Sequence, residues 1–244
     1  MERRMARSAA AAEARRDRHA TSSMARRAVV HHRVRKASGA TKPFGDASRA
    51  AYVEEALRRL ASSFATTSSG PSTELAGLLA SYVTRPGKRV RPYLATLGYD
   101  LSRALDADAG PRPEGVGTFS AALEVLHAFL LVHDDVADRA ATRRGLDALH
   151  VQLRPAPAPS ITEGDRIRLG NDLAVVAGDW LYTASIQAML AAPGLDPTHR
   201  ALALGSVLEV CRDTAEGQFD DIAGTFAPLA RVSPADVLQV YRLK

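Results

Sequence analysis

Residues 123–145 read LEVLHAFLLVHDDVADRAATRRG. The first half is almost wholly apolar and the second carries three aspartates and three arginines. Leu123, Leu126, Leu130 and Leu131 recur at helical spacing, which predicts one long, largely buried helix over Val116–Ala141. At about 100° per residue, Asp134, Asp135 and Asp138 fall at about 0°, 100° and 40° on one face of it. His127 lies at about 20° on that same face, two turns earlier. Three carboxylates so placed repel one another unless cations neutralise them. The alternative, an exposed charged helix end, is disfavoured by the apolar run that the aspartates cap.

Working outward, the other segments read as helices too. Asp46 is placed as an N-cap for residues 47–64, where Tyr52, Ala56, Leu57, Leu60 and Phe64 share a face. Further helices are predicted over residues 74–83, 93–105, 171–190 and 198–224. Ser233, Pro234 and Asp236 form a helix start by capping-box logic. Stretches rich in Gly and Pro separate these segments, and the prolines of residues 154–160 exclude a helix there. No alternating strand pattern, heptad array or internal repeat is present. The expected fold is all-α, a bundle of antiparallel helices.

Charge is unevenly distributed. Residues 1–42 hold twelve Lys/Arg against three Asp/Glu, whereas residues 43–244 hold twenty against twenty-four. The first 45 residues read as a basic, disordered tail and 46–244 as the folded domain. A mildly acidic body argues against nucleic acid as a partner. One cysteine, Cys211, excludes an intrachain disulfide and suits a reducing, cytoplasmic setting. No uninterrupted run approaches the ~20 apolar residues of a membrane span, so no stable membrane insertion is expected.

A second cluster, RPGKRVRP, places Arg85, Lys88, Arg89 and Arg91 in a Pro/Gly-bounded loop suited to gripping polyphosphate. A solvated basic turn is the plain alternative. Together with the aspartates and Arg143-Arg144, the loop suggests two anionic groups side by side. One would be held through Mg²⁺, whose shell accepts a few carboxylates plus phosphate oxygens, and the other by direct basic contacts.

With GKRVRP, the segment quoted above, LAVVAGDWLYTAS and CRDTAEGQFDDIAG in this order, the chain resembles the trans-polyprenyl diphosphate synthases. The resemblance implies an all-α isoprenoid-synthase bundle that assembles as a homodimer. It implies condensation of isopentenyl diphosphate with an allylic diphosphate to a short trans-prenyl diphosphate, geranylgeranyl or farnesyl. It also implies that Asp134, Asp135 and Asp138 hold Mg²⁺ against the allylic diphosphate, with Arg143 touching the same group. Lys88, Arg91, His127 and Arg144 would grip isopentenyl diphosphate, with Arg89 in the same basic loop. Gln218 and Asp221 match a helical Gln-x-x-Asp element facing the reacting carbons. Lys244 falls near the ionising substrate. Phe129, or by helical geometry Leu130, would floor the product tunnel. Trp180, Tyr182 and Cys211 read as packing residues, His133 receives no catalytic role, and Asp179 is read as bonding a neighbouring helix.

The sequence departs from the family pattern in two ways. The loop after Gly145 is longer and broken by proline, and no second aspartate-rich motif is present up to Lys244. The expectation is therefore a C-terminally truncated synthase lacking the last helices, with poor turnover on its own. The alternative is a non-catalytic remnant or regulatory subunit that pairs with an intact synthase.

Overall fold

A computed structural model describes residues 46–66, 72–104, 110–225 and 232–244. The basic tail and the first parts of the breaks expected at 68–73 and 106–115 lie outside the described residues. Eight helices and one two-stranded hairpin make up what is described: α1 (Ala47–Thr66), α2 (Ser72–Val83), α3 (Val90–Arg103), α4 (Glu114–Ala137), β1 (Thr142–Arg143), β2 (Leu146–Asp147), α5 (Leu149–Gln152), α6 (Glu163–Leu190), α7 (Pro197–Gly224) and α8 (Pro234–Leu243). The fold is all-α, as expected from the sequence. Contacts group the chain into two compact units, one ending at Val207 and one including Leu208–Lys244.

In the first unit α4 is the central helix, packed on α6 and flanked by α1 and α3. Its inner face carries Ala121, Val125, Ala128 and Val132, and α6 answers with Ala174, Ala177 and Leu181. Small residues on both sides let the two axes approach closely. Leu57 of α1 and Leu79 of α2 complete a core of fully buried side chains. Asp46 caps α1 as expected, accepting from the backbone N–H of Arg49 at 3.0 Å and of Ser48 at 3.2 Å. Trp180 meets Phe64 edge-on at 4.8 Å, in keeping with a packing role. In the second unit Ser233 and Asp236 close the expected capping box on α8.

Several boundaries move. The helix expected to reach Ala141 stops at Ala137, because Arg139 adopts the left-handed conformation (φ 53°). The Ala140 N–H then bonds the Asp135 carbonyl at 2.9 Å and the Arg139 N–H bonds that of Val136 at 3.2 Å. This double bond pattern terminates the helix by satisfying its last carbonyls. The chain then turns back in a hairpin, with Thr142 opposite Asp147 and Arg143 opposite Leu146. Arg144 (φ 54°) and Gly145 (φ 80°) form its two-residue turn, the positive-φ pair that matches strand twist. Two-residue strands are too short to leave an alternation in the sequence. α3 begins at Val90, so Arg91 lies in a helical first turn, not in the loop. α6 begins at Glu163, capped by Thr162, eight residues before the expected start.

The membrane expectation also needs correction at the level of composition. α4 and α6 are each long and apolar enough to cross a bilayer by length and hydropathy alone. In α4, 61% of that apolar window is buried inside the fold.

Candidate active site

Two basic segments and one acidic helix end meet in the first unit. Asp134 and Asp135 lie in the last turn of α4 and Asp138 is its C-cap. Their roles separate by burial. Asp135 is 1% exposed, and Arg143 forks onto its Oδ1, with Nε at 2.8 Å and a further contact from Nη2. The same Nη2 reaches Asp134 Oδ2 at 3.3 Å. Asp135 Oδ2 is buried without a protein partner. Burial pushes the Asp135 carboxyl above its usual range, against the opposing pull of Arg143. Burial works to lower Arg143, but its bond to Asp135 and the charges of Asp135 and Asp134 together outweigh that and hold the guanidinium above its ordinary value. Asp134 and Asp138 are half-buried and stand at the surface of the helix end. Among the described residues no three His, Cys, Asp or Glu side chains converge tightly enough to cage a metal by themselves.

The basic loop divides similarly. Lys88 and Arg91 are exposed, whereas Arg89 is 6% exposed and fully engaged. Its Nε donates to Glu54 at 2.8 Å, Nη1 to Glu124 at 2.8 Å and Nη2 to the Arg85 carbonyl at 2.7 Å. Arg89, expected among the polyphosphate-gripping residues, instead ties the loop to α1 and α4. Its φ of 50° makes a left-handed turn at the N-cap of α3, between the exposed Lys88 and Arg91.

A cleft of ≈ 310 Å³, counting the open solvent at its mouth, lies between the two basic segments and α4, lined by Tyr82, Arg85, His127, Leu131, Arg143 and Arg144 among others. His127 is half-buried, with its Nδ1 buried and lacking a partner. Burial first, then the positive charge of Arg91, lowers its pKa to about 4, so the ring is neutral near pH 7. Arg143 and Arg144 add to the same depression, which places all three arginines within electrostatic reach of His127. Partial burial, with the neighbouring guanidiniums of Arg89 and Arg143, holds Arg144 below its usual value. Tyr82 is buried, and its hydroxyl is pushed up to about 12 by burial and then by Asp135.

Below the aspartates, Phe129 packs against His133 (4.7 Å between ring centroids) and Tyr182 (5.2 Å). Leu130 is half-buried beside it. His133 Nε2 lies 3.2 Å from the Val175 carbonyl and 3.6 Å from Asp179, so Asp179 does reach across to a neighbouring helix. Any side chain at Gly178 would run into the His133 ring, at 2.4 Å from its Cβ. In the second unit, Lys244 Nζ and Asp221 pair at 2.7 Å, and Gln218 lies one turn before Asp221 on α7. Sequence reading missed Glu124, Tyr82 and Gly178. Glu124 left a signal, a lone carboxylate in an apolar run, whereas Tyr82 looked like any core aromatic.

Residues 72–244 match the polyprenyl synthetase family, and the chain belongs to it. It is 32% identical over 140 residues to a short chain isoprenyl diphosphate synthase of Methanothermobacter thermautotrophicus, covering 57% of this chain and 35% of that protein. Against the geranylgeranyl pyrophosphate synthase of Geoglobus acetivorans the identity is 28% over 168 residues, covering 67% of this chain and 43% of the relative. Among solved structures, the geranylgeranyl pyrophosphate synthase of Corynebacterium glutamicum, complexed with isoprenyl diphosphate and magnesium, superposes with a TM-score of 0.64 at 26% identity, over 79% of this chain and 55% of that one. The chain thus spans about half or less of the length of these relatives.

Proposed function

We propose that this chain is a prenyltransferase that condenses isopentenyl diphosphate with an allylic diphosphate to give a short trans-prenyl diphosphate, geranylgeranyl or farnesyl. The observation that carries the reading is a cleft lined by arginines from two segments, one of which, Arg143, also pairs with the acidic helix end. Membership of the polyprenyl synthetase family supports it.

The donor set fits Mg²⁺. Asp134 and Asp138 offer oxygen atoms at the surface, and Asp135 Oδ2 is a buried oxygen with no protein partner. Carboxylates alone do not complete a shell, which suits an ion that also takes diphosphate oxygens and water. When bound, Mg²⁺ neutralises the leaving diphosphate of the allylic substrate. Asp135 orients Arg143 toward the same group, where its charge stabilises the departing oxygen. Lys88, Arg91 and Arg144 bind the diphosphate of isopentenyl diphosphate, and neutral His127 contributes an N–H donor. The allylic C–O bond breaks, the isopentenyl double bond forms the new C–C bond at that carbon, and the departing diphosphate takes the proton lost from isopentenyl. Apolar residues below the aspartates keep water from the carbocation. Phe129 and Leu130 limit the length of the growing tail.

The cytoplasm is the proposed setting and a second copy of the chain the proposed partner. Leu169, Leu173 and Val176 repeat at i, i+4 and i+7 on α6 and are 36%, 42% and 61% exposed, an apolar stripe suited to self-association. The test is titration calorimetry with geranyl diphosphate, with and without Mg²⁺, alongside incorporation of labelled isopentenyl diphosphate. Mg²⁺-dependent binding that is lost in Asp134→Asn and Asp138→Asn is expected. Equal binding without the metal would refute the assignment.

A further inference from the structure

Two basic segments distant in sequence, residues 85–88 and 143–147, hold each other by reciprocal arginine contacts. Arg144 Nη1 lies 3.0 Å from the Pro86 carbonyl and 3.4 Å from that of Arg85. Arg85 Nη1 answers by donating to the Asp147 carbonyl at 3.3 Å. The Arg85 guanidinium also lies over the Tyr82 ring, 4.8 Å from its centroid. Room for Arg144 comes from an absent side chain: a Cβ on Gly87 would sit 2.6 Å from Arg144 Nη1 and 3.1 Å from its Cζ. Gly87 has no left-handed φ, so the backbone does not require glycine there; the Arg144 side chain does.

We propose that Arg85, Gly87 and Arg144 form a latch that assembles the diphosphate cleft before substrate arrives, with Arg85 as a positioning residue. The physical need is plain. Arg85, Arg89, Arg143 and Arg144 line one small cleft in which Glu124 is the one carboxylate among the lining residues. Arg89 and Arg143 are paired with carboxylates, and the like charges of Arg85 and Arg144 repel unless something holds them together. Backbone carbonyls accept the guanidinium protons without neutralising the charge, so the cleft stays cationic and ready for an anion. The latch joins the segment that carries Lys88 to the one that carries Arg143. Losing it lets the two halves of the grip move independently, and binding then includes the cost of ordering them. The choice of ligand rests on the prenyltransferase reading; the latch itself does not.

The probe is isopentenyl diphosphate, titrated calorimetrically into the full chain and its variants. Gly87→Ala displaces only the flexible end of Arg144 and should weaken binding about tenfold, the effect of roughly one charge-assisted hydrogen bond. In an Arg144→Ala background the same change should have no further effect. Arg85→Gln can still donate to the Asp147 carbonyl and should keep more affinity than Arg85→Ala. A role in net charge alone would make those two variants equal. Equal losses from Gly87→Ala with and without Arg144 would overturn the latch, as would wild-type affinity in Gly87→Ala. A second measurement needs no ligand: ¹⁵N relaxation of the arginine Nη groups should show slow guanidinium rotation for Arg144, freed by Gly87→Ala. Free rotation in the wild type would also overturn the latch. Slow rotation in a wild-type chain that binds no isopentenyl diphosphate would support the latch and defeat the prenyltransferase reading.

Discussion

Replacing Glu124 by leucine should destabilise the first unit severely, and its geometry sets the size of the effect. Arg89 and Glu124 are both nearly inaccessible, with side chains 5% and 6% exposed, and their bond is 2.8 Å. The pair's own net contribution is small, because desolvating two charges offsets most of their attraction. Removing one partner is different. Arg89 keeps the Arg85 carbonyl and Glu54, but Glu54 is 36% exposed and screened, so it compensates only in part. A buried charge left short of its partner costs about 3–5 kcal/mol. For a domain of this size each kcal/mol moves Tm by roughly 2–4 °C, so Glu124→Leu should lower it by about 6–20 °C. Glu54→Gln, on the exposed side of the same guanidinium, should cost about 1 kcal/mol. In Glu124→Leu/Arg89→Met the charge is gone, and much of the lost stability should return. The assay is urea unfolding followed by circular dichroism, comparing midpoints at unchanged slope. A Glu124→Leu midpoint within 1 kcal/mol of the parent would refute the buried-anchor role of Arg89 and return it to the substrate-gripping set.

His127 has a folded pKa of about 4 against an ordinary 6.5, so unfolding takes up a proton between those values. Stability is complete above pH 6.5 and falls as pH drops toward 4, by about 2 kcal/mol after allowance for partial exposure; His127→Gln should flatten that slope in urea titrations across the window. Phe129→Ala removes the ring that meets His133 and Tyr182; in prenyl products resolved by chromatography it should shift the distribution to longer chains, and an unchanged distribution would take Phe129 out of the tunnel. Val176→Lys places a charge on the most exposed member of the α6 stripe; light scattering should show a dimer converted to monomer, and a parent chain that is already monomeric would end the self-association reading.

Helical periodicity in an Ala- and Leu-rich chain determined the fold class, because 3.6-residue spacing is a local property that each segment displays by itself. The acidic run at Asp134–Asp138, the basic run at Arg85–Arg91 and the caps at Asp46 and Ser233 were legible for the same reason. Helix ends were less so. α4 stops because Arg139 takes a left-handed conformation, and arginine carries no sequence signal for that as glycine would. The β1–β2 hairpin, with two residues per strand, is too short to show alternation. The division of labour within each charged cluster was decided by tertiary structure alone. Asp134 and Asp135 are chemically identical neighbours, yet the turn of the helix exposes one and buries the other against Arg143. Lys88, Arg89 and Arg91 read as one basic loop, yet Arg89 points inward because Glu124 lies across the core, 35 residues away in sequence. The meaning of Gly87 was hidden for the same reason: the side chain that needs its space, Arg144, comes from a hairpin 57 residues later. Sequence lists the charges; only packing decides which of them face each other, and so which are free to face a ligand.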